Sequence, residues 1–224
     1  MSYCLLCETS YKPRIDFKEL FLIKKVHEPV ICPVCFKKFE KISNNFCKIC
    51  HREMKIKEIC EDCKQWGKKY QNNLLINQSC FKYNLAFHDL MVSYKRYGDY
   101  ILRKVLAELV YGKIPPADYY VPIPTSLAHQ TKRKYDTISE IFSPLVSLTP
   151  LLTKVDTLEA QGEKNRQERM LTKQSFKAVK GAKVGGKVLL LDDIYTTGRT
   201  LYHAKDALVK EYPKLKITSF TIAR

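Results

Sequence analysis

Residues Val188 to Thr200, with the sequence VLLLDDIYTTGRT, place two acids and several hydroxyl side chains between a buried strand and a helix. The apolar run Val188 to Leu191 is typical of a central parallel strand that is covered on both faces. Asp192 and Asp193 follow it, at the edge where doubly wound sheets bind ligands. If the chain is already turning into the loop there, both carboxylates can accept hydrogen bonds from the vicinal hydroxyls of a sugar.

The residues that follow the acids are suited to hold a phosphate group. Backbone N–H groups of a tight turn, together with the N-terminus of the next helix, can cradle such an anion. An ordinary strand, turn and helix cap would need only Thr and Gly, so the acids followed by T-T-G-x-T favour a binding site. The residues predicted to bind this ligand are Asp192, Asp193, Thr196, Thr197, Gly198, Arg199 and Thr200.

Eight of the nine cysteines form C-x-x-C pairs within the first 63 residues. Two thiolates three positions apart on a tight turn can occupy two corners of a tetrahedron, and a second pair fills the other two. Two closed, structural zinc sites are therefore predicted. The predicted ligands are Cys4, Cys7, Cys32, Cys35, Cys47, Cys50, Cys60 and Cys63.

Four pairs can be joined in three ways. Sequential joining closes loops of 24 and 9 intervening residues and costs the least chain entropy, so it is preferred. A redox dithiol is the alternative for a single C-x-x-C, but such a motif normally stands alone. His27 and His51 are not needed as ligands and are expected at the surface, and Cys80 is expected to be a buried reduced thiol or a bystander.

Alternating strands and helices must position the acidic and hydroxyl residues. The pattern predicts a doubly wound, mostly parallel α/β sheet. Helices are predicted over residues 102–110, over 138–145 with a break at Pro144, and from Thr200. Strands are predicted over residues 119–123, 151–155, 188–191 and 216–222.

The chain divides into a zinc-ribbon module over residues 1–70 and an α/β domain over residues 80–224. The polar stretch QWGKKYQNN between them resembles a linker or an exposed turn. Residues 156–187 are polar, with few core candidates, and form the candidate hood over the ligand site.

The formal net charge of +16 excludes an acidic protein and favours an anionic partner, with nucleic acid ahead of a membrane surface. Two zinc sites with four thiolates each would reduce this charge to about +12. A lysine-rich solvated surface is the alternative. Since no long apolar run or signal-like start is present, a cytoplasmic location is expected, with membrane contact only at the periphery through a partner.

The segment VLLLDDIYTTGRT resembles the phosphoribosyl diphosphate (PRPP) binding motif of type I phosphoribosyltransferases. Together with the cysteine pairs, the order of parts is similar to that of the ComF family across nearly the whole chain. The resemblance implies that Asp192 and Asp193 contact the ribose hydroxyls and that residues 196–200 surround the 5-phosphate. Magnesium would arrive with the pyrophosphate. The loop after Ile123 would hold that pyrophosphate.

Two further stretches are similar to ComF motifs but depart from them. YYVPIPTSLAHQTKRKYDTISEI matches a strand, a proline-containing loop and a basic R-G-F-N-Q segment, with Asp136 and Thr137 in place of Asn and Gln. Its residues Lys132, Arg133 and Lys134 could neutralise a pyrophosphate or a nucleic-acid backbone. In the second stretch Gln161, Glu168, Arg169 and Phe176 fit, while Thr172 or Lys173 replaces an Asn.

The ComF resemblance implies a role in natural transformation, where incoming single-stranded DNA is handled in the cytoplasm alongside the helicase ComFA. Bases could stack on Tyr94, Tyr97, Tyr100, Tyr119 and Tyr135, which otherwise serve as core or rim packing. Three hypotheses stay open. The chain is a DNA-uptake factor that retains a PRPP site, an active phosphoribosyltransferase with an unknown acceptor, or a structural zinc adaptor.

Overall fold

A computed structural model of the chain describes residues 1–13, 28–71, 73–155 and 174–224. The strands are β1 (Ser2–Tyr3), β2 (Ser10–Tyr11), β3 (Asn77–Phe81), β4 (Tyr119–Pro122), β5 (Leu152–Lys154), β6 (Phe176–Ala178), β7 (Lys187–Ile194) and β8 (Lys216–Ala223). The α-helices are α1 (Pro33–Lys37), α2 (Glu61–Tyr70), α3 (Leu85–Val92), α4 (Arg103–Val110), α5 (Leu127–Arg133), α6 (Thr137–Phe142) and α7 (Arg199–Glu211). A π-helical turn (Ser93–Tyr97) and a 3-10 turn (Tyr100–Leu102) connect α3 to α4.

Four parallel strands form the main sheet, in the order β3, β8, β7, β4. Strand β7 lies inside the sheet, with Leu191 opposite Pro122 of β4 and Phe220 of β8. Strands β1 and β2 form a separate antiparallel pair, and so do β5 and β6. The prediction of a doubly wound, mostly parallel α/β sheet is confirmed.

Both faces of the sheet are covered, because alternate residues of β7 point into two cores. Leu189 and Leu191 belong to the core that contains α3, α4, α6 and the cysteines of the N-terminal cluster. Val188 and Leu190 belong to the core that contains α7, β5, β6 and the cysteines at positions 47–63. The two groups of cysteines therefore lie on opposite faces of one sheet.

The predicted linker QWGKKYQNN is the clearest error, because its first six residues are the C-terminal part of α2. The helix continues through Gly67 since its aromatic side chains find partners: Trp66 stacks on Tyr202 of α7 at 4.2 Å, and Tyr70 lies 4.6 Å from the same ring. Burial of this aromatic cluster offsets the low helix propensity of glycine. The domain limits of 1–70 and 80–224 stay a prediction.

Strand β3 and helix α3 were not predicted. The inward-facing residues of β3 include Asn77 and Ser79, so its sequence lacks the apolar alternation of a half-buried strand. The helices predicted around residues 102–110 and 138–145 are confirmed as α4 and α6, and α6 ends before Pro144. Residues 161, 168, 169, 172 and 173 of the second ComF-like stretch lie outside the described residues, whereas Phe176 is buried in β6.

Helices long and apolar enough to cross a membrane are absent from the described part of the chain.

Candidate phosphate site and cysteine clusters

Strand β7 continues to Ile194, three residues farther than the predicted end at Leu191. Pairing with β8 persists there, with Asp192 opposite Thr221 and Ile194 opposite Ala223. The condition under which both carboxylates could accept from one sugar, that the chain turns into the loop at the acids, is therefore not met. Successive strand residues point to opposite faces, so the Asp192 and Asp193 side chains enter different surroundings.

Asp193 is 4% exposed and forms an ion pair through Oδ2 with Nζ of Lys95. Lys95 belongs to the π-helical turn on the face of α3 and α4. A lysine beside a buried carboxylate offsets the cost of removing that charge from water. Lys95 was not singled out from the sequence, because only the neighbouring tyrosines of this basic and aromatic segment were considered.

Asp192 is half-buried, and its Oδ1 accepts a hydrogen bond of 3.0 Å from the backbone N–H of Asp193. Burial and the adjacent Asp193 carboxylate raise the pKa of Asp192 to about 7, against the opposing positive charges of Lys95 and Lys154. The protonation of this carboxyl therefore changes near neutral pH. Lys154, in β5, is a second basic residue near the acids that the sequence did not reveal.

The turn from Tyr195 to Gly198 connects the acids to α7. Thr196, Thr197 and Thr200 are exposed. Gly198 has φ +82°, and a Cβ at this position would lie 2.1 Å from the hydroxyl oxygen of Tyr195. Only glycine fits this close approach and left-handed conformation. The 13-residue helix α7 begins at the next residue, so its N-terminal N–H groups adjoin the exposed hydroxyls.

The three basic residues predicted to contact an anion differ in their surroundings. Lys132 and Lys134 are exposed, whereas the Arg133 guanidinium donates to the backbone carbonyl of Lys95 at 2.9 Å and to Oγ1 of Thr137 at 3.1 Å. Arg133 thus joins α5 to the segment that carries Lys95. Burial and then the nearby charges of Arg133, Lys154, Lys132 and Lys95 lower the pKa of His129, which indicates a concentration of positive charge there.

Asp136, which stands where the ComF motif has Asn, caps helix α6. Its Oδ1 accepts from the backbone N–H of Ser139 at 2.9 Å, and its Oδ2 accepts from the N–H of Thr125 at 2.9 Å and from Gln130 at 3.1 Å. Although burial opposes the change, these backbone hydrogen bonds lower the pKa of Asp136. The acidic side chain therefore holds the loop after Ile123 in place.

The five tyrosines considered for base stacking divide into three groups by burial. Tyr94 is fully buried, stacks on Tyr135 and donates its hydroxyl to the backbone carbonyl of Thr137. Tyr119 and Tyr135 are partly buried against the cores. Tyr97 and Tyr100 are 80% and 39% exposed. Packing thus accounts for Tyr94, and Tyr97 offers an accessible ring, whereas the Tyr100 ring contacts Arg103 at 4.2 Å and Tyr135 at 4.9 Å.

The cysteines lie together in the sequential grouping. Cys4, Cys7, Cys32 and Cys35 form the first cluster, and Cys47, Cys50, Cys60 and Cys63 form the second cluster. Within each cluster all sulfurs lie within 4.8 Å of one another. Sulfurs at the corners of a zinc tetrahedron are about 3.8 Å apart, given a Zn–S bond of about 2.3 Å. The Cys7–Cys32 and Cys50–Cys60 sulfur distances of 3.8 and 3.5 Å suit this geometry, so both donor sets fit zinc.

His51 and Cys80 lie outside both clusters. His51 is half-buried rather than at the surface, and its Nδ1 lies 3.1 Å from the backbone nitrogen of Ser79. Burial lowers the pKa of His51. Burial also raises the pKa of Cys80 to about 11, which keeps this thiol protonated.

Comparison with known proteins shows to which family the chain belongs. No protein-family model matches the chain. Competence protein ComFC of Bacillus subtilis is 28% identical over 230 residues, which cover 99% of this chain and 94% of that protein. Competence protein ComFC of Streptococcus pneumoniae is 31% identical over 224 residues, which cover 99% of each chain. With similarity that extends across almost the whole length of both relatives, the chain belongs to the ComFC family of competence proteins.

Proposed function

We propose that this protein is a competence factor that binds a PRPP-type ligand, handles single-stranded DNA during natural transformation and acts alongside the helicase ComFA. The relationship to ComFC supports the competence role. The further steps are inferred from the site and from the motifs.

The turn before α7 is the feature that supports a PRPP-type ligand. Three exposed threonines, Thr196, Thr197 and Thr200, flank the glycine turn and the first residues of α7, directly after the strand that carries the acids. A helix N-terminus and turn N–H groups suit a phosphate, and the half-buried carboxylate of Asp192 suits a sugar hydroxyl. Magnesium would arrive with the pyrophosphate, since it prefers phosphate oxygens and water to an all-protein cage.

Single-stranded DNA suits the surface next to this site. The Arg133 side chain donates to the carbonyl of Lys95 and so joins the segment that carries exposed Arg96 and Tyr97 to the segment that carries exposed Lys132 and Lys134. Proteins that bind single strands combine such charges, which follow the phosphates, with aromatic rings on which bases stack. The net charge of +16 favours the same partner.

The two cysteine clusters are proposed to hold one structural zinc ion each. Four thiolates leave no open coordination position for water or substrate. Zinc would close each cluster and stabilise the module, and it would take no part in chemistry. Metal analysis is expected to return close to two zinc ions per chain, and a value near zero would remove both sites.

An active phosphoribosyltransferase is the second candidate. Lys95 and Lys154 place positive charge beside the two acids, where a departing pyrophosphate would need it. Release of pyrophosphate from PRPP in the presence of an acceptor would establish this activity. A binding role alone predicts no release with any acceptor tested.

The ligand assignment is tested by calorimetric titration of PRPP with magnesium into the wild-type protein and an Asp192→Ala/Asp193→Ala variant. We expect binding to the wild type and a loss of at least tenfold in the variant. Glu211→Ala, an exposed acid at the far end of α7, is the matched control and should bind normally. Absence of binding to the wild type, or equal binding to the double variant, would exclude the pocket.

The DNA assignment is tested by titrating a labelled single strand across a salt series. Affinity should fall linearly with the logarithm of salt concentration, because bound phosphates release counterions. An affinity that does not change with salt concentration would exclude contacts between the protein and the DNA phosphates.

A further inference from the structure

The second cluster is joined to the phosphate turn by two side chains, those of Arg224 and Trp66. Neither residue belongs to a motif of the sequence. Both reach the turn between Tyr195 and Gly198 from the same side, the side of α2 and the cysteines.

Arg224 connects a cysteine sulfur directly to the turn. Its side chain is 5% exposed and lies over the Tyr195 ring, with the guanidinium carbon 4.6 Å from the ring centre. Nη2 donates to Sγ of Cys50 at 3.3 Å and lies 3.7 Å from Oδ2 of Asp62. Nη1 donates to the carbonyl of Tyr195 at 2.9 Å and also to that of Thr196. The planar fork of arginine allows one side chain to hold these groups together.

Trp66 provides the second connection. It follows Cys63 by three residues in α2, and its Nε1 donates to the carbonyl of Thr197 at 2.9 Å. The indole stacks on Tyr202 at the beginning of α7. Arg224 and Trp66 thus hold three consecutive carbonyls, those of residues 195, 196 and 197, from one side.

Holding these carbonyls orients the opposite side of the turn. In a trans peptide the C=O and the N–H of the next residue point in opposite directions, and the described residues contain no cis peptide. The N–H groups of Thr196, Thr197 and Gly198 therefore point away from the cysteines. Successive N–H groups on one side of a turn form a concave anion site.

The first cluster has different connections. The hydrogen bonds that the structure describes for its sulfurs go to Thr9, to Cys35 and between Cys7 and Cys32. Its buried cysteines pack in the core of α3 and α4, on the other face of the sheet. Changes at this cluster therefore have no direct route to the turn through the described residues.

We infer that metal in the second cluster and ligand at the phosphate turn stabilise each other through Arg224 and Trp66, which act as positioning residues. This inference rests on the proposed PRPP site. Coupling between two sites is reciprocal, so the metal strengthens ligand binding by the same factor as the ligand strengthens metal binding. Couplings between sites are commonly about 5- to 150-fold.

The first experiment measures zinc release from the full-length protein to a zinc-selective chelator, with and without PRPP and magnesium. Trp66 is the only tryptophan, so the phase of zinc release that coincides with a fluorescence change identifies the second cluster. We expect the ligand to slow this phase about tenfold and to change the other phase less than twofold. Equal protection of both zinc ions, or of neither, would overturn the inference.

The second experiment uses calorimetry with Arg224→Ala and Arg224→Lys variants. Arg224→Ala should weaken PRPP binding about tenfold and abolish the selective protection of zinc, while lysine restores charge but not the fork and should rescue little. Arg52→Ala is the matched control, because Arg52 pairs with Asp62 in the same module without a described bond to the turn. Wild-type affinity and protection in Arg224→Ala would contradict the coupling.

Trp66→Phe keeps the experiment decisive if Arg224→Ala does not fold. Phenylalanine can still stack on Tyr202 but cannot donate to Thr197, so PRPP binding should weaken about threefold while zinc content stays at two. Unchanged affinity would count against the coupling. If wild-type protein does not bind PRPP at all, the proposed pocket fails together with the coupling, whereas binding without selective protection overturns the coupling alone.

Discussion

The first and second clusters each consist of four cysteines in two C-x-x-C pairs, yet they lie on opposite faces of the sheet. The first packs beside Phe39, Phe81 and Phe87, whose rings meet edge to face. The second lies against α7 and the phosphate turn. Four-cysteine clusters with the same ligand chemistry therefore have different structural neighbours because of the face on which the fold places them.

A buried polar network connects the second cluster to the sheet. Buried Asn77 of β3 donates to the backbone carbonyl of Cys50, to Ser79 and to Thr221 of β8. A buried polar network of this kind is stabilising only while all its members keep their partners. All four cysteines of the second cluster are buried, whereas Cys7 of the first cluster is exposed.

The largest predicted difference between the clusters is in stability. Structural zinc contributes roughly 10–16 kcal/mol of apparent binding energy to small folded modules, so loss of one ligand is severe where the site is buried. Cys47→Ser should lower Tm by about 10 °C or more, and Cys7→Ser by less than half as much. Thermal melts with parallel zinc analysis measure both values. Equal shifts would mean that the two clusters support the fold equally.

The next largest effect is a loss of PRPP affinity without a loss of zinc. Gly198→Ala introduces a Cβ 2.1 Å from the hydroxyl of the buried Tyr195 ring, so the ring or the turn must move, and PRPP affinity should fall at least tenfold. Zinc content should remain at two.

Gly112→Ala is the control for this change, because Gly112 also has positive φ, +68°, but has open space around its Cβ position. Both variants should lose about 1–2 kcal/mol of stability from the left-handed conformation, while only Gly198→Ala loses the ligand. Similar calorimetric affinities for the two variants would contradict the assigned turn geometry.

A smaller effect is expected from pH. The folded-state pKa of Asp192 is raised to about 7 from the ordinary value of 3.8, so the folded protein retains a proton there that the unfolded chain has released. The contribution of this group to stability is present at low pH and is lost as pH rises from about 4 to 7. Asp192→Asn should remove that part of the pH dependence of unfolding.

Affinity for PRPP should increase as pH rises, whereas stability decreases, because a carboxylate accepts sugar hydroxyls better than a carboxylic acid does. Between pH 6 and 8, PRPP affinity should increase about fivefold more in the wild type than in Asp192→Asn, which serves as the reference for titration of the ligand phosphates. Zinc content should stay near two throughout. Parallel pH profiles for the two proteins would exclude Asp192 as the titrating group.

The smallest expected effect is on the affinity for single-stranded DNA. It compares two lysines at the C-terminal end of α5 with two lysines of α2 in the cysteine module. Lys132→Ala/Lys134→Ala should reduce the salt slope of single-strand binding by about 1.4, at roughly 0.7 per phosphate contact. Lys64→Ala/Lys68→Ala, on exposed positions of α2, should leave it unchanged. The reverse result would transfer the DNA contacts to the cysteine module.

Local patterns predicted the parts of the molecule that depend on neighbouring residues. The helix predicted at residues 102–110 followed from apolar periodicity, the strand predicted at 188–191 followed from a continuous apolar run, and the sequential grouping of cysteines followed from loop length. Strand β3 was missed because Asn77 and Ser79 are buried by partners in β8, more than 140 residues away. Such long-range pairing leaves no periodic signal.

The residues of the candidate site were likewise predictable only where they are contiguous in the sequence. The motif from Asp192 to Thr200 is contiguous and could be read directly. Lys95 reaches Asp193 from a separate turn, and Arg224 reaches Cys50 across 174 residues of sequence. Side chains that are brought together only by the packing of both sheet faces cannot be identified from spacing.

The most direct test is a calorimetric titration of PRPP with magnesium into two variants that each lack one zinc site, Cys50→Ser and Cys7→Ser. We predict that Cys7→Ser binds within twofold of the wild type and that Cys50→Ser, whose sulfur contacts Arg224, loses at least tenfold in affinity. Equal affinities in the two variants would contradict a phosphate turn held in place by the second cluster.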